Sequence, residues 1–136
     1  MSDISPQDAL VYIMVTMSAA DRSMSDAELA TIGNIVSNLP IFAGFDEDSL
    51  VDLAQDCSAL LQEEDGLDTI LAKVHAALPD RLYDTAYALA VEVAAVDLDV
   101  QQEELRFLQM LRDELDLDKL TIAAIERSAR ARYRVK

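Results

Sequence analysis

Ala19-Ala20-Asp21-Arg22-Ser23-Met24-Ser25-Asp26-Ala27-Glu28-Leu29 falls on Ala95-Val96-Asp97-Leu98-Asp99-Val100-Gln101-Gln102-Glu103-Glu104-Leu105 when the sequence is shifted by 76 residues. Asp21 lines up with Asp97 and Glu28 with Glu104. The register runs outward as well: Ile13 meets Leu89, Val15 meets Val91, Ile32 meets Leu108 and Ile35 meets Leu111. Apolar residues at three-and-four spacing on both sides of a short polar break describe two helices joined by a loop. The register therefore predicts a duplicated helix-loop-helix unit, with copies at roughly 5–37 and 79–115. In each copy a mostly apolar helix ends at an aspartate, the loop carries one apolar residue (Met24 or Val100), and a second helix opens at a glutamate.

The remaining sequence agrees with an all-helical chain. Three glycines and three prolines leave little material for tight hairpins, and the β-branched residues sit among helix-favouring alanine, leucine and glutamate. Ser5-Pro6 reads as an N-cap with proline at the first helical position, opening a first helix on Ala9, Leu10, Ile13, Met14 and Met17 that ends near Asp21. Ser25 and Glu28 form a capping box for a second helix with Leu29, Ile32, Ile35 and Val36 on one face, stopped by Asn38-Leu39-Pro40. The aromatics of the connector, Phe42 and Phe45, are expected to tuck into the core. Asp46 caps a third helix through Leu61, Gly66 precedes a fourth, and Pro79 opens a fifth that runs to Val96 and is apolar almost all round, as a central element would be. Leu105, Leu108 and Leu111 mark a sixth helix, and Asp118 caps a seventh that continues into the tail. The expected fold class is all-α: a single compact bundle of about seven helices over one domain, residues 1–136.

Charge restricts the partners. The chain carries 26 acids against 11 bases, a formal −15, and would be repelled by nucleic acid and by anionic membrane over most of its surface. Between Asp46 and Asp68 there are nine acids and no base, read as a solvated outer helix face. The tail, 127–136, reverses the sign: Arg127, Arg130, Arg132, Arg134 and Lys136 stand there without an acid, so residues 1–126 carry −20. Those cations suit a helix C-terminus and can pair with an acidic surface of this chain or of another. MSDISPQDA has no positive segment before an apolar stretch, and the uncharged stretches fall short of the ~20 residues a membrane span needs. A soluble cytoplasmic protein without signal peptide or transmembrane segment is expected.

The repeated acids carry the functional reading. Asp21 with Glu28, and Asp97 with Glu104, each lie across one short loop, so seven residues of sequence become a short distance in space. If the copies pack about a pseudo-twofold axis, the four carboxylates approach one another and repel unless protonated or bridged by a cation. A divalent ion with oxygen ligands, magnesium, calcium or manganese, is the natural bridge. The loops are not calcium-binding hands, because counting from Asp97 puts Gln102 where that loop needs glycine and Leu108 where it needs glutamate. The competing reading of these acids is structural: Glu28 closing a capping box and Asp21 binding loop amides, together worth about 1–2 kcal/mol.

At these residues the sequence resembles the TerB tellurite-resistance family, whose helical domain is also similar to the amino-terminal region of DjlA-type membrane co-chaperones. The family pattern is an alanine-rich helix running into Ala-x-Asp-Gly, with a glutamate seven residues beyond the aspartate, near both ends of the domain. Here it is Ala20-Asp21 through Glu28 and Val96-Asp97 through Glu104, with Arg22 and Leu98 in place of the glycine. The resemblance implies a bundle of about seven helices, association with tellurite or general stress responses, and no established catalytic activity. It further implies metal binding and assembly with protein partners near the membrane, a cytoplasmic protein that can be peripheral to the inner membrane.

Other chemistry is poorly represented. His75 and Cys57 are the only residues of their types, too few for a structural zinc site or a nucleophile–histidine triad, and they are read as a surface residue and a packed thiol. The methionines sit at core spacing. Glu92 interrupts the most apolar helix at the position matching Thr16 and is read as a paired structural acid. Three functions stay open: a non-enzymatic binding or adaptor module with a cation site at Asp21, Glu28, Asp97 and Glu104; a metal-dependent hydrolase using the same acids; and a purely structural homodimer joined by apolar faces and by acidic helix to basic tail.

Overall fold

A computed structural model of the chain describes residues 4–19, 26–96 and 102–136. Among these, seven α-helices and three short 3-10 turns occur and no strand, in agreement with the all-helical expectation. Helix α1 spans Pro6–Ala19, α2 Asp26–Asn38, α3 Leu50–Leu61, α4 Gly66–Ala77, α5 Tyr83–Ala95, α6 Gln102–Leu115 and α7 Lys119–Arg132.

The helix starts follow local chemistry. Ser5 Oγ accepts from the Asp8 amide at 3.0 Å, and the Asp8 carboxylate accepts in return from the Ser5 amide at 3.4 Å, with Pro6 at the first helical position. Asp118 caps α7 in the same way: one carboxylate oxygen accepts from the Thr121 amide at 2.9 Å and the other from its hydroxyl at 2.7 Å. Hydrogen bonds from the Thr121 side chain and amide hold the Asp118 carboxyl below its usual range. Two starts differ from expectation by one turn. Asp46 caps the 3-10 turn Glu47–Ser49 that leads into α3, and Pro79 precedes the turn Asp80–Leu82 before α5 opens at Tyr83. In both places a single tight turn is interposed, a common way to satisfy the first amides of a helix.

Helix α1 is the centre of the bundle. Ala9 through Ser18 are buried without interruption, because α2, α3, α4, α5 and α6 all pack on it. Helix α5 is the second central element, against α1, α2, α6 and α7. The two copies of the repeat thus lie with their first helices in contact, and each second helix, α2 or α6, touches the first helix of both copies. The 76-residue shift reaches further than the two-helix unit: α3 covers α1 as α7 covers α5. It also carries the Thr16–Cys57 hydrogen bond, 3.4 Å, onto Glu92–Tyr133, 2.5 Å. The duplicated element is therefore three helices, with α4 added after the first copy.

Helix α4 begins where α3 turns back. An added Cβ at Gly66 would lie 2.0 Å from the Leu60 carbonyl oxygen, so glycine is what lets the two backbones meet. The connector before α3 is held by Gln7, whose amide donates to the Ile41 and Ala43 carbonyls, and by Phe42, buried and edge-on to half-buried Phe45 at 5.5 Å. The nine acids between Asp46 and Asp68 are all exposed, as a solvated outer face requires. No helix among the described residues is long and apolar enough to cross a membrane.

Candidate functional site

Glu28 and Glu104 occupy the first turns of α2 and α6. Both are almost fully enclosed, Glu28 1 % and Glu104 2 % exposed, while the next residues, Leu29 and Leu105, are 54 % and 56 % exposed. The leucine expected on the buried face of α2 thus points outward, and Leu105 does the same on α6. Hydrophobicity alone would arrange each pair the other way round. Enclosing a carboxylate costs several kcal/mol unless its surroundings compensate, and here the opening turn of a helix, where backbone dipoles favour negative charge, supplies part of that. Neither glutamate is without a partner. The inversion occurs at matched positions of both copies, so it belongs to the repeated unit.

Asp21 and Asp97, the other two carboxylates of the expected site, lie outside the described residues, as do Met24, Ser25 and Val100. Among the described residues no three His, Cys, Asp or Glu side chains come together in a metal-binding group. The ends of the two copies do meet. A cavity of about 640 Å³ is bounded by Thr16 and Ala19 at the end of α1 and by Glu103, Arg106 and Phe107 at the start of α6. Helix α3 and the start of α4 close its other side through Leu61, Gln62, Glu64 and Gly66. The end of α1 and the turn that holds Glu104 therefore border one space.

Three further titratable groups, Cys57, His75 and Glu92, have structural partners. Cys57 is buried, close to the Thr16 hydroxyl at 3.4 Å and donating to the Tyr12 carbonyl at 3.6 Å; burial pushes its thiol up to about 11, so it stays protonated and unreactive at neutral pH. His75 is exposed, 2.8 Å from Glu114 and edge-on to Tyr83. Glu92 is a paired acid, accepting from Arg132 and from the Tyr133 hydroxyl.

A second polar cluster went unread in the sequence. Tyr87, buried in α5, donates to Glu126 of α7 at 2.5 Å, and Arg112 of α6 donates to both Tyr87, at 2.8 Å, and Glu126, at 3.1 Å. Burial, with the bond to Glu126 next, drives the Tyr87 hydroxyl up to about 12. Its presence was discoverable, since a tyrosine amid alanine and valine on an all-round apolar helix needs a partner for its hydroxyl.

The family model described as "Tellurite resistance protein TerB" matches residues 7–127, nearly the whole of the bundle. No curated protein and no solved structure matches the chain.

Proposed function

The chain belongs to the TerB tellurite-resistance family, and from that membership we propose that it is a non-enzymatic binding module whose repeated carboxylates hold a divalent cation. The observation that carries the reading is the double inversion: Glu28 and Glu104 enclosed, Leu29 and Leu105 exposed, at equivalent places in the two copies. A fold that encloses an acid twice, beside exposed leucines, gains by having a cation to set against it. Asp21 and Asp97 complete the oxygen set, and magnesium, calcium or manganese supplies the charge that lets four carboxylates share one region. The module works in the cytoplasm in tellurite or general stress responses, joined to protein partners near the membrane, with the basic tail docking on their acidic surfaces.

Thermal unfolding tests the cation. After chelation, a specific ion among magnesium, calcium, manganese and zinc, present at ~100 times its dissociation constant, adds about 2.7 kcal/mol of stability. The gain disappears in the double variant Asp21→Asn with Asp97→Asn. The absence of an ion-specific gain, or an equal gain in the double variant, removes the site. For the adaptor role, affinity capture from a native lysate returns protein partners; metal-dependent turnover with no partner recovered would replace it by the hydrolase.

A further inference from the structure

Beyond the carboxylates and independent of them, the second copy of the repeat leaves a cavity of about 640 Å³ between the end of α5, the start of α6 and the end of α7. Its floor is apolar and buried: Val91, Ala94, Leu108 and Ala129. Leu105, the exposed leucine of α6, stands at the edge of the hollow. Beside it stand two exposed cations, Arg130 in the last turn of α7 and Arg134 two residues past the end of that helix, with Tyr133 between them in sequence. Arg112 also reaches the wall, but Glu126 neutralises it. Arg130 and Arg134 form no ion pair with any described residue, although the chain has 26 acids to offer.

Two unneutralised guanidiniums at the rim of an apolar hollow select one kind of ligand. Its body must be apolar, to cover the leucines, valine and alanines; its end must be anionic and planar, to accept from a guanidinium in a forked geometry. The volume lies within the ~300–1,000 Å³ of small-molecule pockets, and a hollow set among three helix ends suits one compact molecule better than a long peptide groove. The matched region of the first copy has a different character. The 76-residue shift puts Ala54 and Ser58 where Arg130 and Arg134 stand, so this pair of cations is specific to the second copy. We propose that the cavity between α5, α6 and α7 binds an amphipathic carboxylate, an alkyl chain seated on Leu105 and Leu108 with its carboxylate held by Arg130 and Arg134.

Titration calorimetry with decanoate, below its micellar concentration, tests this on the full chain. The expected result is saturable one-to-one binding, at least tenfold tighter than 1-decanol, which keeps the chain and lacks the charge. Arg130→Gln and Arg134→Gln, both at exposed positions, each weaken binding about five- to tenfold with the melting temperature little changed. Leu105→Gln weakens it through the apolar side, and 1-decanol follows that change while ignoring the arginine variants. Equal binding of decanoate and 1-decanol, equal or better binding of decyltrimethylammonium, or unchanged affinity in both arginine variants overturns the proposal. So does a dimer in sedimentation that the arginine variants dissolve and decanoate leaves intact, since the occupant is then a second copy of the chain. Binding to anionic vesicles that decanoate does not compete away overturns it in favour of a membrane surface.

Discussion

The two copies of the three-helix unit share a plan and differ in what covers them. In the first, α1 is buried without interruption from Ala9 to Ser18, because α4 follows α3 and packs against it as well, and a cavity borders its end. In the second, α7 covers α5 and, among the described residues, no helix packs on α5 as α4 packs on α1, so α5 keeps a partly exposed acid, Glu92, along its length. The matched pair Thr16 and Glu92 records the difference. A threonine bonded to a buried thiol suffices where solvent is excluded; a glutamate held by Arg132 and Tyr133 is tolerated where water can reach. Sequence duplication sets the framework, and the added helix buries the central helix of the first copy more fully than that of the second.

Exchanging those two residues breaks the comparison most severely. Thr16→Glu puts a carboxylate on the buried helix α1 beside Cys57 and should cost about 4 kcal/mol or more, measured by chemical denaturation, whereas Glu92→Thr should cost about 1 kcal/mol or less. Equal costs would show that the copies are equally open. Next in size, Gly66→Ala drives a Cβ into the Leu60 carbonyl and should cost about 2–3 kcal/mol, with amide exchange rising first in α3 and α4 and later in α7. A smaller effect appears at high pH. Cys57 in the first copy is raised from 9.0 to about 11, and Tyr87 in the second from 10.0 to about 12. Each folded group holds its proton more tightly than the unfolded chain does, so stability is complete below pH ~9 and declines as pH rises through these windows. Cys57→Ala should flatten the earlier part of that decline and leave the later part, while Tyr87→Phe should do the reverse. The smallest effect is at Glu92. Glu92→Gln should lose its stability difference from the parent chain in high salt, because the pair with half-exposed Arg132 is screened.

Much of this was legible in residue order. Ser5-Pro6 and Asp118 announced helix starts through donors and acceptors within one turn, and Pro40 and Gly66 marked breaks, because these effects act over a few residues. The matched pairs Ile13 with Leu89 and Ile32 with Leu108 disclosed the duplication, and all four are buried. The leucines after the two glutamates were misleading. Spacing assigned Leu29 to the buried face of α2, but whether a helical position faces core or water depends on which helices pack beside it, and those partners come from distant parts of the chain. Tyr87, Arg112 and Glu126 are likewise far apart in sequence and meet only where α5, α6 and α7 converge.

The sequence by itself determined an all-helical chain, its caps and breaks, the repeat, and the four acids that recur within it, because helix formation and capping are governed by neighbours one turn away. Tertiary structure alone decided that Glu28 and Glu104 are enclosed, that α1 is the centre, that the repeat includes a third helix, and that a cationic hollow opens beside the second copy. Those depend on which surfaces come into contact, and a contact between helices is set by the packing of the whole bundle.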